Sequence, residues 1–132
     1  MKPITFALSL VAALAVATSA TAAAKKELPP ASKKTGLTFD KDIKPIFEKS
    51  CVECHGDKKQ KGKLRLDTLA NALKASENGK SIVPGKSADS SLVKAIARVV
   101  EDDAMPPEGK EPLTPEQILA ISQWIQQGAS FD

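Results

Sequence analysis

Both cysteines of the chain and its only histidine fall within five consecutive residues, Cys51, Val52, Glu53, Cys54 and His55, with Gly56 behind them. A C-x-x-C-H pentapeptide reads as a c-type haem attachment site. The spacing has a physical reason. Two cysteines three apart on a helical turn point to the same side, so both sulfurs can add to the two vinyl groups on one edge of a porphyrin. The adjoining imidazole of His55 can then turn under the ring and reach the iron, and an axial histidine is ordinary haem ligation.

Other readings of the pentapeptide fit less well. A closed structural zinc site takes four ligands, typically Cys and His, and the chain has three such residues in total. A thioredoxin-like redox pair wants a strand before it and a βαβ setting, and neither pattern is visible. A structural disulfide between Cys51 and Cys54 is the remaining alternative, and it leaves His55 unexplained.

A second candidate ligand lies 50 residues downstream of His55. If Met1 is removed with a leader segment, Met105 is the chain's only methionine, and it stands in Ala104-Met105-Pro106-Pro107 rather than on an apolar helical face. Two prolines restrict the backbone there, which suits a thioether held rigidly at the sixth position of the iron. Methionine opposite histidine raises the haem potential. It also leaves no open site for a substrate. A packing or surface methionine is the alternative.

These residues need elements to place them. A first helix is expected over Asp42 to Cys51, capped by Asp40 or Asp42, with Ile43, Ile46 and Phe47 as its apolar stripe and Pro45 in its first turn. It delivers the chain into the pentapeptide. Gly56 to Lys63 is a polar loop with four lysines; Leu64 and Leu66 return to the core, and Asp67 is a candidate cap for a helix from Thr68 to about Ser76. Asn78-Gly79 and Pro84-Gly85 mark turns. A third helix is expected from Ser90 to Val100, burying Leu92, Val93, Ile96 and Val99. The last helix has the strongest signals: a capping box at Thr114 to Gln117 with Pro115 in the first turn, Ile118, Ile121 and Ile125 at spacings of three and four, Trp124 beside them, and Gly128 at the end. No strand pattern of comparable quality and no internal repeat is present, so the expected class is all-α.

The 132 residues do not all belong to that fold. After Lys2 comes an apolar run from Ile4 to Ala17, then small residues up to Ala24, which reads as a secretory signal peptide over 1–24. The alternative is an uncleaved membrane anchor, for which about 14 apolar residues is short against the roughly 20 of a spanning helix. Cleavage would leave 108 residues and no membrane span, and the product is expected in the periplasm. Residues 25–37, with two prolines and five charges, read as a flexible linker, and the domain is expected over 38–132. Loss of Lys2 sets 18 basic against 16 acidic residues. With Arg65 and Arg98 as the only arginines and few aromatics, nucleic acid is not an expected partner. The lysine-rich loop after the pentapeptide is either a plain solvated loop or a basic rim that steers an acidic redox partner.

The ordered set of motifs resembles a class I c-type cytochrome, in particular the small cytochrome c modules of planctomycete and verrucomicrobial proteins. The resemblance rests on D-I-K-P-I-F at 42–47, C-V-E-C-H-G at 51–56, G-K-L-R-L-D at 62–67, I-V-P-G-K at 82–86, M-P-P at 105–107, L-T-P-E-Q-I at 113–118 and W-I-Q-Q-G-A at 124–129. It covers about residues 39 to 129. It implies about four short helices wrapped around one covalently attached haem c, with thioethers from Cys51 and Cys54, His55 as proximal and Met105 as distal iron ligand. It further implies that Phe47 and Trp124 form an aromatic pair where the first and last helices meet, and that the carbonyl of Pro84 accepts the His55 N–H and fixes the imidazole. Such modules often sit inside multidomain proteins, whereas this one follows its own leader segment.

The function expected from these residues is a monomeric, exported monohaem electron carrier between redox partner proteins, and not an enzyme. The alternatives are a haem-binding subunit or sensor of a larger complex, and a peroxidase-like haem enzyme with an open sixth site.

Overall fold

The structure, a computed structural model, describes residues 27–29 and 35–131. The expected signal peptide and most of the expected linker lie outside the described residues. Helical structure begins at Phe39, earlier than expected, and its cap is Thr38. Its hydroxyl accepts the Lys41 N–H, and its own N–H donates to the Asp42 carboxylate at 2.8 Å, a reciprocal arrangement of the capping-box kind. Pro45 cannot donate to the Lys41 carbonyl. The chain widens there into one π-helical turn, Phe39–Ile43, closed by the Lys44 N–H on the Phe39 carbonyl, and continues as α1, Lys44–Ser50.

The second expected helix is cut short. Its cap is the Thr68 hydroxyl, which accepts the Asn71 N–H, and not Asp67. Helix α2 covers only Leu69–Ala72. Ala75–Ser76 (β1) and Gly79–Lys80 (β2) then pair antiparallel, Ala75 opposite Lys80 and Ser76 opposite Gly79. Asn-Gly is a strong hairpin signal, Gly79 takes the positive φ (+93) that such a turn demands, and the Ser76 hydroxyl bonds across it to the Gly79 carbonyl at 2.8 Å. Serine and asparagine side chains here compete with helix for the backbone. This small hairpin and an isolated antiparallel bridge between His55 and Gln60 are the β pairings of an otherwise helical fold among the described residues.

Helix α3, Ser91–Ile96, also stops before the expected Val100. Arg98 adopts φ +57, a left-handed conformation that reverses the chain. Val99, expected in the core, is 40% exposed as a result, and Val100 beside it is exposed as well.

Helix α4, Pro115–Gln126, forms as expected, with both halves of the capping box between Thr114 and Gln117. Ile121, Trp124 and Ile125 are fully buried, and Gly128 leaves the helix at φ +119. The expected pair of Phe47 and Trp124 is present with ring centroids 6.4 Å apart at 84°, and Phe39 completes a trio at 6.2 Å from Phe47 and 5.7 Å from Trp124. These rings tie the N-terminal turn and α1 to α4. The indole N–H donates to the Ser130 carbonyl at 2.9 Å, which satisfies its one polar atom. Leu37, assigned to the linker from sequence, is buried in the core, and the Gln127 side chain bonds both its N–H and its carbonyl. No helix of the described residues is long and apolar enough to cross a membrane.

Candidate cofactor site

The pentapeptide is a single turn built on one carbonyl. The N–H groups of Cys54 and His55 both donate to the Cys51 carbonyl, at 3.1 and 2.9 Å, directly after α1 has ended with the Cys51 and Val52 N–H groups on the Phe47 carbonyl. A Cβ at Gly56 would lie 2.5 Å from the Val52 carbonyl oxygen and 2.7 Å from Val52 Cγ1. The chain passes so close over Val52 that only glycine fits.

The lysine loop then folds back along the turn. The Lys61 N–H reaches the Cys54 carbonyl at 3.0 Å, the Leu66 N–H the His55 carbonyl at 2.7 Å, and the Gly56 N–H the Lys59 carbonyl at 2.8 Å. Arg65 fastens the two ends of this return by pairing with Asp57 at 3.2 Å and with Asp67. The same contact holds the Asp67 carboxyl below its ordinary pKa, through the Arg65 hydrogen bond first.

His55 Nδ1 lies 3.0 Å from the Lys61 carbonyl. A carbonyl can only accept, so Nδ1 carries the proton and the lone pair is left on Nε2. That is the tautomer a metal ligand needs, oriented by a backbone carbonyl. The partner differs from the expected one. Pro84 is exposed, sits in a turn whose Gly85 N–H bonds the Ile125 carbonyl at 2.7 Å, and is not part of the cavity wall around His55. The carbonyl that fixes the imidazole belongs to the returning lysine loop, six residues away.

Cys51, Cys54, His55 and Met105 all line one cavity of about 650 Å³, within the roughly 300–1,000 Å³ range of small-molecule and cofactor pockets. Leu64 and Leu66, the Leu92, Ala95 and Ile96 face of α3, and Pro106 and Pro107 supply its apolar walls. Both cysteines are free thiols. Burial pushes the Cys51 thiol up to about 11, so it stays protonated at neutral pH. Across the mouth, Lys110 Nζ meets the Glu53 carboxylate at 2.5 Å and ties the pentapeptide to the chain beyond Met105. The ion pair lowers the Glu53 carboxyl and raises Lys110.

The residues present fit a haem. Two thiols, a free imidazole Nε2 and a thioether form its donor set, and the cavity wall is apolar where a porphyrin face needs it. Ser81, on the same wall, is 5% exposed and its hydroxyl has no hydrogen-bond partner among the described residues. Buried hydroxyls are rarely left unpaired, and a polar substituent of a bound ligand would satisfy this one. Among the described residues no three His, Cys, Asp or Glu side chains converge as a metal cluster.

Sequence reasoning missed Lys61, whose role rests on its backbone and leaves no side-chain signal, and Ser81, one of several serines in a turn-rich stretch. Residues 51–109 match the family model of planctomycete cytochrome C. The matched span begins at Cys51 and takes in the lysine loop, the hairpin, α3 and Met105. No curated protein and no solved structure matches the chain.

Proposed function

We propose that this chain, which carries a planctomycete-type cytochrome c module, is an exported carrier of single electrons between redox partner proteins. In this reading Cys51 and Cys54 hold one haem c by thioethers, and His55 and Met105 ligate its iron. Bound there, haem c supplies a reversible ferric/ferrous couple.

The observation that carries the proposal is the convergence of Cys51, Cys54, His55 and Met105 on one apolar cavity, with Nε2 of His55 left free by the Lys61 carbonyl. The chain's own residues then have three tasks. The turn on the Cys51 carbonyl presents both sulfurs from one end of α1. The Lys61 carbonyl keeps the imidazole in one tautomer and one orientation. Leu64, Leu66, Leu92 and Ile96 exclude water from the cavity, and low polarity together with a thioether ligand favours the reduced state.

With His55 and Met105 both holding the iron, no coordination site would remain for a substrate, which favours a carrier over a peroxidase-like enzyme. No side chain is asked to move a proton. Lys58, Lys59, Lys61 and Lys63 are exposed on the loop that borders the cavity, and they would steer an acidic partner toward it, with an association rate that falls as salt rises. The apolar run at residues 4–17 supports export to the periplasm and release after cleavage.

The test is an optical titration of the purified ferric protein with azide. A low-spin spectrum with a thioether-to-iron charge-transfer band and weak azide binding agrees with the carrier. A high-spin ferric protein that binds azide readily would refute it in favour of the enzyme. Size-exclusion chromatography of native extract separates a free carrier, which elutes near its monomer size, from a subunit of a larger complex.

A further inference from the structure

Between the end of α3 at Ile96 and Met105 the chain is irregular, so no regular element delivers the methionine to the cavity wall. One turn of α3 does so instead. The Ala95 carbonyl accepts the Arg98 N–H at 3.1 Å and, from across the loop, the Met105 N–H at 3.0 Å. Arg98, in its left-handed conformation, aims its guanidinium across the loop and donates from Nη1 at 3.3 Å and Nη2 at 3.2 Å to the carbonyl of Pro106. Pro106 is buried and Arg98 half-buried. The backbone is thus held on both sides of Met105, by the Ala95 carbonyl at its N–H and by the Arg98 fork one residue later.

We propose that Arg98 is the positioning residue of the distal ligand, holding the Met105 thioether at the iron. The inference rests on the reading of Met105 as that ligand. A soft thioether is better matched to ferrous than to ferric iron, so the ferric state is where positioning matters most. Guanidinium suits the task because it stays charged at any working pH and presents a rigid pair of donors to one acceptor. Lysine keeps the charge beside Glu101, Asp102 and Glu108, which share a small polar cavity with Arg98, but lacks the fork. Glycine removes every side-chain donor and accepts the positive φ without strain.

The experiment uses the ferric haem protein and azide, which competes with the thioether for the iron. In Arg98→Gly the apparent azide affinity should rise about tenfold, equivalent to about 1.4 kcal/mol, and the thioether charge-transfer band should weaken. Arg98→Lys should fall between wild type and Arg98→Gly. In a Met105→Ala background, Arg98→Gly should change azide affinity by less than twofold, because nothing is left to position. Equal changes in both backgrounds would overturn the inference, since Arg98 would then act on the cavity and not on the thioether. An azide affinity in Arg98→Gly within twofold of wild type would overturn it alone, with the wild-type band intact. Absence of the band from wild type would overturn both this inference and the ligand reading beneath it. If Arg98→Gly does not accumulate, Arg98→Lys decides: a threefold or greater rise supports the proposal, and an unchanged affinity refutes it.

Discussion

Replacing Gly56 with alanine tests how the pentapeptide turn is built. The added Cβ would lie 2.5 Å from the Val52 carbonyl oxygen and 2.7 Å from its Cγ1. The Cγ1 contact can be relieved by a χ1 rotation, at some cost because valine is stiff there. The carbonyl contact cannot, because Val52 is fixed by its N–H on the Phe47 carbonyl at 2.9 Å and is followed at once by the Cys54 and His55 bonds to Cys51. To reach an ordinary separation the turn must open by about an ångström, which lengthens those bonds and moves His55 from the Lys61 carbonyl. Overpacking of this kind costs about 1–3 kcal/mol, and for a domain of this size about 5–20 °C in Tm. The assay is thermal denaturation of the haem protein, with haem content per polypeptide measured on the same preparations. Gly56→Ala should melt lower and carry less haem. A variant with unchanged Tm and full haem content would refute the close-approach argument.

Further outcomes follow from the same structure. In haem-free protein at pH 8, burial leaves Cys51 about a hundredfold poorer in thiolate than in the unfolded chain, given a rise from 9.0 to about 11, so iodoacetamide should modify Cys51 far more slowly in native than in urea-unfolded protein; equal rates would contradict the burial. Because the folded thiol holds its proton longer than the unfolded one, the haem-free protein should lose stability as pH rises from about 9 to about 11, and a flat profile in denaturant titrations would count against it. Phe39→Ala removes one ring of the buried trio and should cost about 3–5 kcal/mol, read from chemical denaturation; a cost under about 1 kcal/mol would mean that the trio does not tie the N-terminal turn to α4. Met105→Ala should lower the reduction potential and abolish the thioether band, and an unchanged spectrum would point to another ligand such as a lysine.

How far the sequence could be read depended on whether a feature was carried by side-chain type or by backbone. The pentapeptide turn and the capped helix α4 are written in residue types at fixed spacings, and both were legible: Thr114, Pro115 and Gln117 announce a helix start that the structure reproduces bond for bond. The imidazole's partner was misread because any carbonyl can fill that role, and only the return of the lysine loop places Lys61 rather than Pro84 beside His55. Helix α3 was drawn too long because Val99 and Val100 extend its apolar pattern, whereas the left-handed turn at Arg98 ends it and leaves both exposed. The hairpin at 75–80 was missed because strands of two residues have no periodicity to detect, although its Asn78-Gly79 turn was read. Phe39 was missed because Pro45 suggested a later helix start; the π-helical turn absorbs the proline's missing donor and carries Phe39 into the core.

The central claim is that one haem is covalently held in the cavity and closed on both faces by His55 and Met105. Mass spectrometry and optical spectroscopy of the purified mature protein test it together. The account predicts a polypeptide beginning between about residues 21 and 25 and heavier by one haem, with a low-spin ferric spectrum carrying the thioether band. A mature protein with no covalent haem in its mass would contradict it.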